Sequence, residues 1–157
     1  MSLLDRDSLQ AYLTARIAPA RALGLEVAGV EPLTIAAPLA ANLNDKGTAF
    51  AGSLYSAAAL AGWALLTRWC SGESIDAEVA LHDSTARFVA PARAPFRAVA
   101  RAPGAADLER LRRMLARSGR GRVAVSAEVS CDEVLVMRFS GAYAVIAGKR
   151  AAGSPLG

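Results

Sequence analysis

Cysteine is nearly absent from this chain of 157 residues, which contains only Cys70 and Cys131. The two form neither a CxxC pair nor a set with the spacing of metal ligands, so the sequence indicates neither a disulfide framework nor a zinc site. Charged residues at positions 5–7 also interrupt the stretch in which a signal peptide would need its apolar core. We therefore expect a cytoplasmic protein without a metal site.

Lysine is equally rare, since only Lys46 and Lys149 are present and arginine supplies the rest of the 18 positive charges. The formal net charge of +4 suits the binding of phosphate or carboxylate groups, but a GC-rich genome produces the same arginine bias. The most basic run, RLRRMLARSGRGR, has leucine and methionine interleaved at helical spacing. It therefore predicts an amphipathic surface helix, and we expect no nucleic-acid partner.

Charge is missing altogether from residues 47–67. A stretch of this length raises the question of a membrane span, but serines, a tyrosine and many alanines lie within it, and amphipathic strands follow. We predict a helix over residues 51–66 that is apolar nearly all round, and no membrane span. Because such a helix has no polar face, other elements of the fold must enclose it.

The segments on either side of this helix have the patterns of short helices and strands. A helix with Asp7 or Ser8 as its N-cap opens the chain, and two apolar runs divided by Glu31 and Pro32 predict a strand hairpin. Four further segments alternate or run apolar at strand length, with one helix inserted after the second segment. They are residues 76–91, 95–102, 121–130 and 133–147.

This order of elements predicts an α+β fold, in which a curved antiparallel sheet of about six strands wraps around the long helix. No repeat and no internal boundary is present, so a single domain is expected over residues 1–150. The remaining residues, 151–157, are expected to be a disordered tail.

The residues that lead into the long helix resemble a known signature. Residues 44–52 read NDKGTAFAG, which is similar to the N-x-x-G-x-x-H-G-G sequence with which many hotdog-fold acyl-CoA thioesterases begin their central helix. The longer run NLNDKGTAFAGSLYSAAALAGW resembles a bacterial group of that superfamily, the thioesterase domain that also occurs fused behind an acetyltransferase domain. The resemblance extends over nearly the whole chain, including the DST…RF…P run of residues 83–91. It implies the hotdog fold and a homo-oligomer, at least a dimer, with a tetramer as the alternative.

The resemblance also implies an activity, the hydrolysis of acyl thioesters of coenzyme A or of acyl carrier protein by water that a general base activates. Phe50 stands where the signature has histidine, and Ala51 replaces the first of its paired glycines. Ala59 occupies the place of the catalytic aspartate of one major subgroup. The base must then be Asp45 or Asp83, unless the domain binds acyl thioesters without hydrolysing them. No cofactor is implied other than coenzyme A as part of the substrate.

The loop before the helix contains the groups that thioester hydrolysis needs. The N–H of Gly52, at the first turn, would hold the thioester oxygen, although a glycine there also simply permits the turn. Asp45 is the only carboxylate of the loop and the first candidate for the base. Asn44 and Asn42 would orient the water or bind the thioester. Because Asn and Asp are ordinary turn formers, a purely structural role stays open for all three.

Asp83 is the second candidate for the base. A period of two places it on the apolar face of the strand over residues 76–91, where a carboxylate is either a structural acceptor or a base with a raised pKa. The resemblance implies that this strand lies near a partner subunit, so that Asp83 or Ser84 would complete a site across the interface. His82, the only histidine, falls on the opposite face and is expected outside the site.

Further side chains near the helix start are candidates for substrate binding. Ser53 and Ser56 have no histidine near them in sequence and no G-x-S-x-G turn, so capping or substrate binding is expected of them rather than nucleophilic attack. Tyr55 either packs in the core or presents its hydroxyl to the thioester. Arg87 would meet the phosphates of coenzyme A or an acidic carrier protein, against the alternative of a solvated strand face.

Overall fold

The computed structural model describes residues 4–148, so the tail predicted over 151–157 lies outside the described residues. Within this range, helices and strands follow one another in the order that the sequence predicts, with one additional short helix, α2. They are α1 (Arg6–Arg16), α2 (Ala18–Ala22), β1 (Glu26–Val30), β2 (Leu33–Ala37), α3 (Ala51–Gly72), β3 (Ala77–Phe88), β4 (Phe96–Arg101), α4 (Ala105–Ser118), β5 (Arg120–Cys131) and β6 (Val134–Ala147).

The six strands form one antiparallel sheet in the order β1-β2-β4-β5-β6-β3. In β5, buried and exposed residues alternate along most of the strand, which is the pattern of a sheet with one covered face. The helix α3 contacts β2, β3, β4, β5 and β6 and is the element that covers this face. The predicted α+β hotdog arrangement, a curved sheet around a long central helix, is confirmed.

The central helix α3 runs to Gly72 and is longer than the predicted 51–66. Its sheet-facing side is built from small residues, with Ala57, Ala58 and Ala61 fully buried, so that the helix axis lies close to the strands. On the side away from the sheet, Trp63 stacks on Tyr12 of α1 at 5.5 Å between ring centroids. The helix is thus enclosed on its sheet side, whereas Ala59, Leu60 and Trp63 on the other side are only half-buried. No helix among residues 4–148 is both long and apolar enough to cross a membrane.

The N-terminal part of the chain differs from the prediction at its cap and in the additional helix α2, which has Pro19 in its first turn. The side chain of Asp5 accepts a hydrogen bond from the Ser8 N–H at 2.8 Å, so Asp5 is the N-cap of α1 rather than Asp7 or Ser8. The predicted hairpin is present, because β1 and β2 pair antiparallel on either side of Glu31 and Pro32.

A bulge in β3 changes which of its residues face the central helix. The pairing with β6 slips between Leu81 and Asp83, which leaves His82 as the extra residue of β3. Beyond the bulge the two faces of the strand are exchanged, so that Ser84 is half-buried on the helix side. Asp83 is exposed on the opposite side. The prediction that Asp83 lies on the apolar face is therefore wrong, because it assumed an uninterrupted period of two.

Candidate active site at the start of the central helix

The helix-start loop (residues 43–50) is organised by the side chain of Asn44. Its Oδ1 accepts hydrogen bonds from the N–H groups of Lys46 at 2.9 Å and Thr48 at 3.1 Å. Its Nδ2 donates to the Thr48 Oγ1 at 2.8 Å. Asn44 therefore closes the turn as an Asx residue does, and it also lines the cavity described below. Its Nδ2 also donates to the Ala49 carbonyl at 3.5 Å, so every hydrogen-bonding position of the side chain has a partner in the loop, which supports the structural role.

Asn42 fixes the base of the same loop from inside the protein. It is 2% exposed, and its Nδ2 donates to the carbonyl oxygens of Leu23 at 2.9 Å and Pro38 at 2.7 Å. The main-chain carbonyl oxygen of Asn42 accepts a hydrogen bond from the Phe50 N–H at 2.7 Å. Within residues 4–148 the Oδ1 atom has no hydrogen-bond partner. The side chain is thus buried behind the loop, which supports an architectural role more than direct contact with a substrate.

Two backbone donors are available where α3 begins. Phe50 is the N-cap, without a side-chain capping bond, and its carbonyl oxygen accepts from Ser53 at 2.9 Å and Leu54 at 3.2 Å. The N–H groups of Ala51 and Gly52 have no acceptor among the described residues. The Phe50 ring packs directly against Gly52, where a Cβ atom would collide with it. The helix start therefore offers unpaired donors, aligned with the positive end of the helix dipole, beside an aromatic ring.

A cavity of about 310 Å³ adjoins this helix start. It lies between the loop, the first turn of α3 and the end of β3. Its walls are Asn44, Ala49, Ala51, Leu54, Phe88, Val89, Ala90 and Pro91. Around it, Leu43, Phe50, Phe88 and Val89 are each at least half exposed, which makes this an apolar patch. The cavity suits an apolar group attached to one polar centre, although it borders Ala51 rather than Gly52.

Tyr55 and Ser84 are 29 positions apart in the sequence, but their hydroxyl groups are in hydrogen-bond contact in the fold. The Tyr55 hydroxyl lies 2.5 Å from the Ser84 Oγ, and the Tyr55 ring meets Phe139 edge to face at 5.5 Å. Of the two helix serines, Ser53 is buried and Ser56 donates to the Gly52 carbonyl at 2.7 Å. The pair Tyr55–Ser84 therefore ties the first turns of α3 to β3 next to the bulge.

In a single chain, neither of the two candidate bases, Asp45 and Asp83, lines the cavity. The Asp45 side chain is 81% exposed and pairs with the Lys46 Nζ at 3.0 Å, while Asp83 is exposed on the outer face of β3. Among the described residues that line the cavity there is no carboxylate. Arg87 lies on the same outer face, directly opposite Arg138 of β6 and next to Phe88 of the cavity wall.

The structure thus brings Asn44, the helix-start amides and the Tyr55–Ser84 pair to one end of α3. The sequence did not reveal that Phe88 and Val89 would complete the apolar side of the cavity. The one signal for them was an apolar pair directly before the alanine and proline that end the strand segment. Their position depends on β3 running back past the start of α3, which only the folded chain shows.

Solved bacterial proteins share this fold. A protein of unknown function from Chlorobaculum tepidum is 27% identical, with a TM-score of 0.86 over 93% of this chain and 99% of that chain. A protein from Shewanella oneidensis, described as a putative thioesterase, is 25% identical, with a TM-score of 0.77 over 90% and 96%. A probable thioesterase from Pseudomonas aeruginosa shares the fold at a TM-score of 0.78 and 23% identity, over 92% and 97%. The chain is a hotdog-fold protein of the thioesterase type.

The family assignment is more specific than the fold. Residues 6–147 match the family described as "Putative thioesterase (yiiD_Cterm)", and the chain belongs to this family. The match includes the helix-start loop, α3 and the strand segment that carries Ser84. The resemblance stated from the loop sequence is confirmed.

Proposed function

We propose that this protein hydrolyses acyl thioesters of coenzyme A or of acyl carrier protein at the start of α3. The observation that carries the proposal is the pair of unpaired N–H donors, those of Ala51 and Gly52, beside an apolar cavity. Negative charge develops on the thioester oxygen when water attacks its carbonyl carbon. Backbone donors at a helix N-terminus stabilise such charge without reorganising, and membership of the thioesterase family supports this reaction.

The acyl group would lie against the apolar cavity wall. Leu54 and Phe88 line the cavity on either side, and Asn44 is the polar residue of the lining. In this arrangement the Nδ2 of Asn44 exchanges its 3.5 Å contact with the Ala49 carbonyl, the longest of its four hydrogen bonds, for the attacking water or the carbonyl. Tyr55 and Ser84 do not line the cavity, and through their 2.5 Å contact they would hold the strand and the helix that border it at a fixed separation.

The general base is proposed to be Asp45 or the Asp83 of a partner subunit. Asp45 is fixed only by its neighbour Lys46 on an exposed loop, so its side chain can turn toward the helix start when a thioester binds. Asp83 of its own chain faces outward, but β3 is an edge strand of the sheet. A second chain placed along that edge would cover its free backbone groups and the exposed Phe88 and Val89. We therefore propose at least a dimer as the active unit.

The carrier would be recognised by cations on the outer sheet face. Arg87 and Arg138 are direct cross-strand neighbours of like charge, and Glu128 of β5 lies opposite Arg138 on its other side, so Arg87 at the sheet edge is the cation without an acidic cross-strand neighbour. Neither arginine takes part in an ion pair among residues 4–148. Phosphate groups of coenzyme A, or acidic side chains of a carrier protein, fit this pair. The reaction is proposed for the cytoplasm, where the free and buried Cys70 and Cys131 stay reduced.

Release of free thiol from acyl-CoA and acyl carrier protein substrates of increasing chain length tests the proposal. Asp45→Asn and Asp83→Asn are each compared with Asp7→Asn, a matched control because Asp7 is 87% exposed and also pairs with an adjacent cation. Loss of the base is expected to lower kcat by about 10² to 10⁴. Absence of turnover with every substrate would sink the proposal, and unchanged kcat in both variants would remove both candidate bases.

The alternative is an acyl-thioester-binding protein without hydrolytic activity. It is favoured by the absence of a carboxylate among the described residues that line the cavity, and by Phe50 in the position of the signature histidine. Saturable binding of acyl-CoA, measured by calorimetry, without any thiol release would decide for it.

A further inference from the structure

A second cavity, here called the far cavity, lies at the other end of the central helix. Its volume is about 630 Å³, within the range of small-molecule sites. Four parts of the fold enclose it, the β1–β2 turn, the last turns of α3, the end of β4 and the first half of α4. Along α3, Gly52 and Trp69 are 17 residues apart, which corresponds to about 26 Å at 1.5 Å per residue. The far cavity is therefore separate from the candidate active site.

The interior of the far cavity is apolar. Leu33 and Ala100 form its floor, and each is 2% exposed. Leu65 and Trp69 of α3 and Leu108 of α4 form the sides and are only partly buried. When an apolar ligand covers partly exposed leucine and tryptophan side chains on a concave surface, the removal of their apolar area from water favours binding.

The two acidic side chains of the cavity wall are both paired. Glu73 is bound by Arg112 through two hydrogen bonds, of 2.8 and 2.7 Å, and is already neutralised. Arg101 ends β4 at the cavity, but it follows the buried Ala100 and pairs with the exposed Ser126, so its side chain belongs to the outer face of the sheet. The remaining pair, Arg68 with Glu31, is the one that a ligand can enter.

Arg68 is positioned to receive an anion. Its side chain is 17% exposed, and its Nε donates to the Leu4 carbonyl at 3.0 Å, which fixes the guanidinium. Its Nη2 contacts the Glu31 carboxylate at 3.1 Å, but the Glu31 side chain is 75% exposed. Because Glu31 gives up little buried contact when it turns away, another carboxylate can take its place on Arg68.

We propose that the far cavity binds an amphipathic monocarboxylate, with its apolar tail between Leu65, Trp69 and Leu108 and its carboxylate on Arg68 in place of Glu31. An alcohol of the same length fills the apolar part but makes no ionic contact, because Arg68 then stays paired with Glu31, so it binds more weakly. The site is independent of the reaction proposed for the start of α3.

Trp69 reports on the occupant directly. The chain has two tryptophans, so Trp63→Phe leaves Trp69 as the single indole fluorophore. In this background decanoate, below its micellar concentration, is expected to change the emission of Trp69 saturably. Decanol is expected to bind at least about tenfold more weakly, as loss of a charge-assisted contact implies. Equal affinity for decanol, or no saturable change with decanoate, would overturn the proposal.

Variants of the wall test the assignment without altering the core. Glu31→Gln removes the competing carboxylate and is expected to tighten decanoate binding while leaving decanol unchanged, which a merely structural residue would not do. Arg68→Gln removes the cation and is expected to weaken decanoate binding, and Arg101→Gln, on the outer face of the sheet, is the control that should leave it unchanged. Ala102→Leu, at an exposed wall position, is expected to abolish binding by filling the space. Unchanged dissociation constants in Glu31→Gln, Arg68→Gln and Ala102→Leu, with melting temperatures like that of the parent, would place decanoate elsewhere and refute the site.

Discussion

The hydroxyl of Tyr55 and the Oγ of Ser84 lie 2.5 Å apart and connect the second turn of the central helix with the edge strand of the sheet. Ser84 reaches the helix side only because the bulge at His82 exchanges the faces of β3. The same bulge turns Asp83 outward. One extra residue therefore determines that Ser84 faces the central helix and that Asp83 lies on the exposed outer face of the strand.

The first prediction concerns this hydroxyl pair. Tyr55→Phe and Ser84→Ala each remove one partner, and each is expected to destabilise the fold by about 1 kcal/mol, the usual net value of one hydrogen bond. In a double-mutant cycle the second substitution should cost little once the first is made, because the shared contact is already lost. Urea unfolding measures the stabilities. Strictly additive losses would contradict a direct bond between the two side chains.

A second prediction concerns pH. Hydrogen bonds from Arg112 hold the pKa of Glu73 below its ordinary value of 4.5. The folded-state pKa is thus lower than the unfolded one, so the stabilisation is fully present above about pH 4.5 and is lost as the pH falls through the folded-state pKa. The free energy of unfolding of Glu73→Gln should be lower at neutral pH by about 1 kcal/mol or less, and should fall less on acidification.

The control for this experiment is Glu109→Gln. Glu109 also contacts Arg112, at 3.0 Å, but its side chain is 51% exposed and the contact is on the surface of α4. Glu109→Gln should change the pH dependence of the free energy of unfolding less than Glu73→Gln does. If the parent protein and Glu73→Gln lost stability identically on acidification, the contribution assigned to the Glu73–Arg112 contact would be contradicted.

Most of the fold follows from patterns that are visible in the sequence. The strands β5 and β6 alternate strongly enough for their limits to be predicted to within one or two residues, and the uncharged helix required a sheet around it. The bulge in β3 left no such signal, because His82 and Asp83 are both polar and either can face solvent. A slip of one residue exchanges the faces of all residues that follow. The sequence therefore predicted the wrong face for every residue of β3 after His82.

The candidate site was predictable only where its residues are close in sequence. Asn42, Asn44 and Gly52 lie within eleven consecutive residues around the helix-start loop, and the glycine and turn-forming residues there point to a helix start that can hold an anion. The contribution of Phe88 and the contact of Ser84 with Tyr55 depend on how β3 passes over α3. Such contacts are set by tertiary packing, and a local pattern does not contain them.

The third prediction concerns the closest approach of α3 to the sheet. A Cβ on Gly62 would collide with the Tyr143 hydroxyl and lie 2.7 Å from its Cζ. Tyr143 is fully buried, and its hydroxyl donates to the Ala59 carbonyl at 2.7 Å, so the ring cannot move aside. Gly62→Ala is expected to cost about 1 to 3 kcal/mol by overpacking, against a gain of up to about 1 kcal/mol in helix propensity.

Tyr143→Phe separates the two contributions. On its own it removes one hydrogen bond and should cost about 1 kcal/mol. In the Tyr143→Phe background the collision with the hydroxyl is gone, so Gly62→Ala should then cost less. Denaturant unfolding of the four proteins gives the comparison, and an equal cost in both backgrounds would show that the hydroxyl is not the obstacle.

The last prediction distinguishes the two roles of Gly52. In Gly52→Ala the new methyl group meets the ring of Phe50, but this ring is 57% exposed and can swing away, and an alanine is favourable inside a helix. Stability should therefore change little. The methyl group and the displaced ring would crowd the N–H donors of Ala51 and Gly52, so kcat/KM for an acyl-CoA should fall by about 10² or more, as when one oxyanion donor is lost.

Gly104→Ala, at the open N-cap of α4, is the control and should leave kcat/KM unchanged. Phe50→Ala combined with Gly52→Ala should restore part of the rate, because it removes the displaced ring. If Gly52 served only the turn, the opposite pattern would appear, with lower stability and an unchanged kcat/KM.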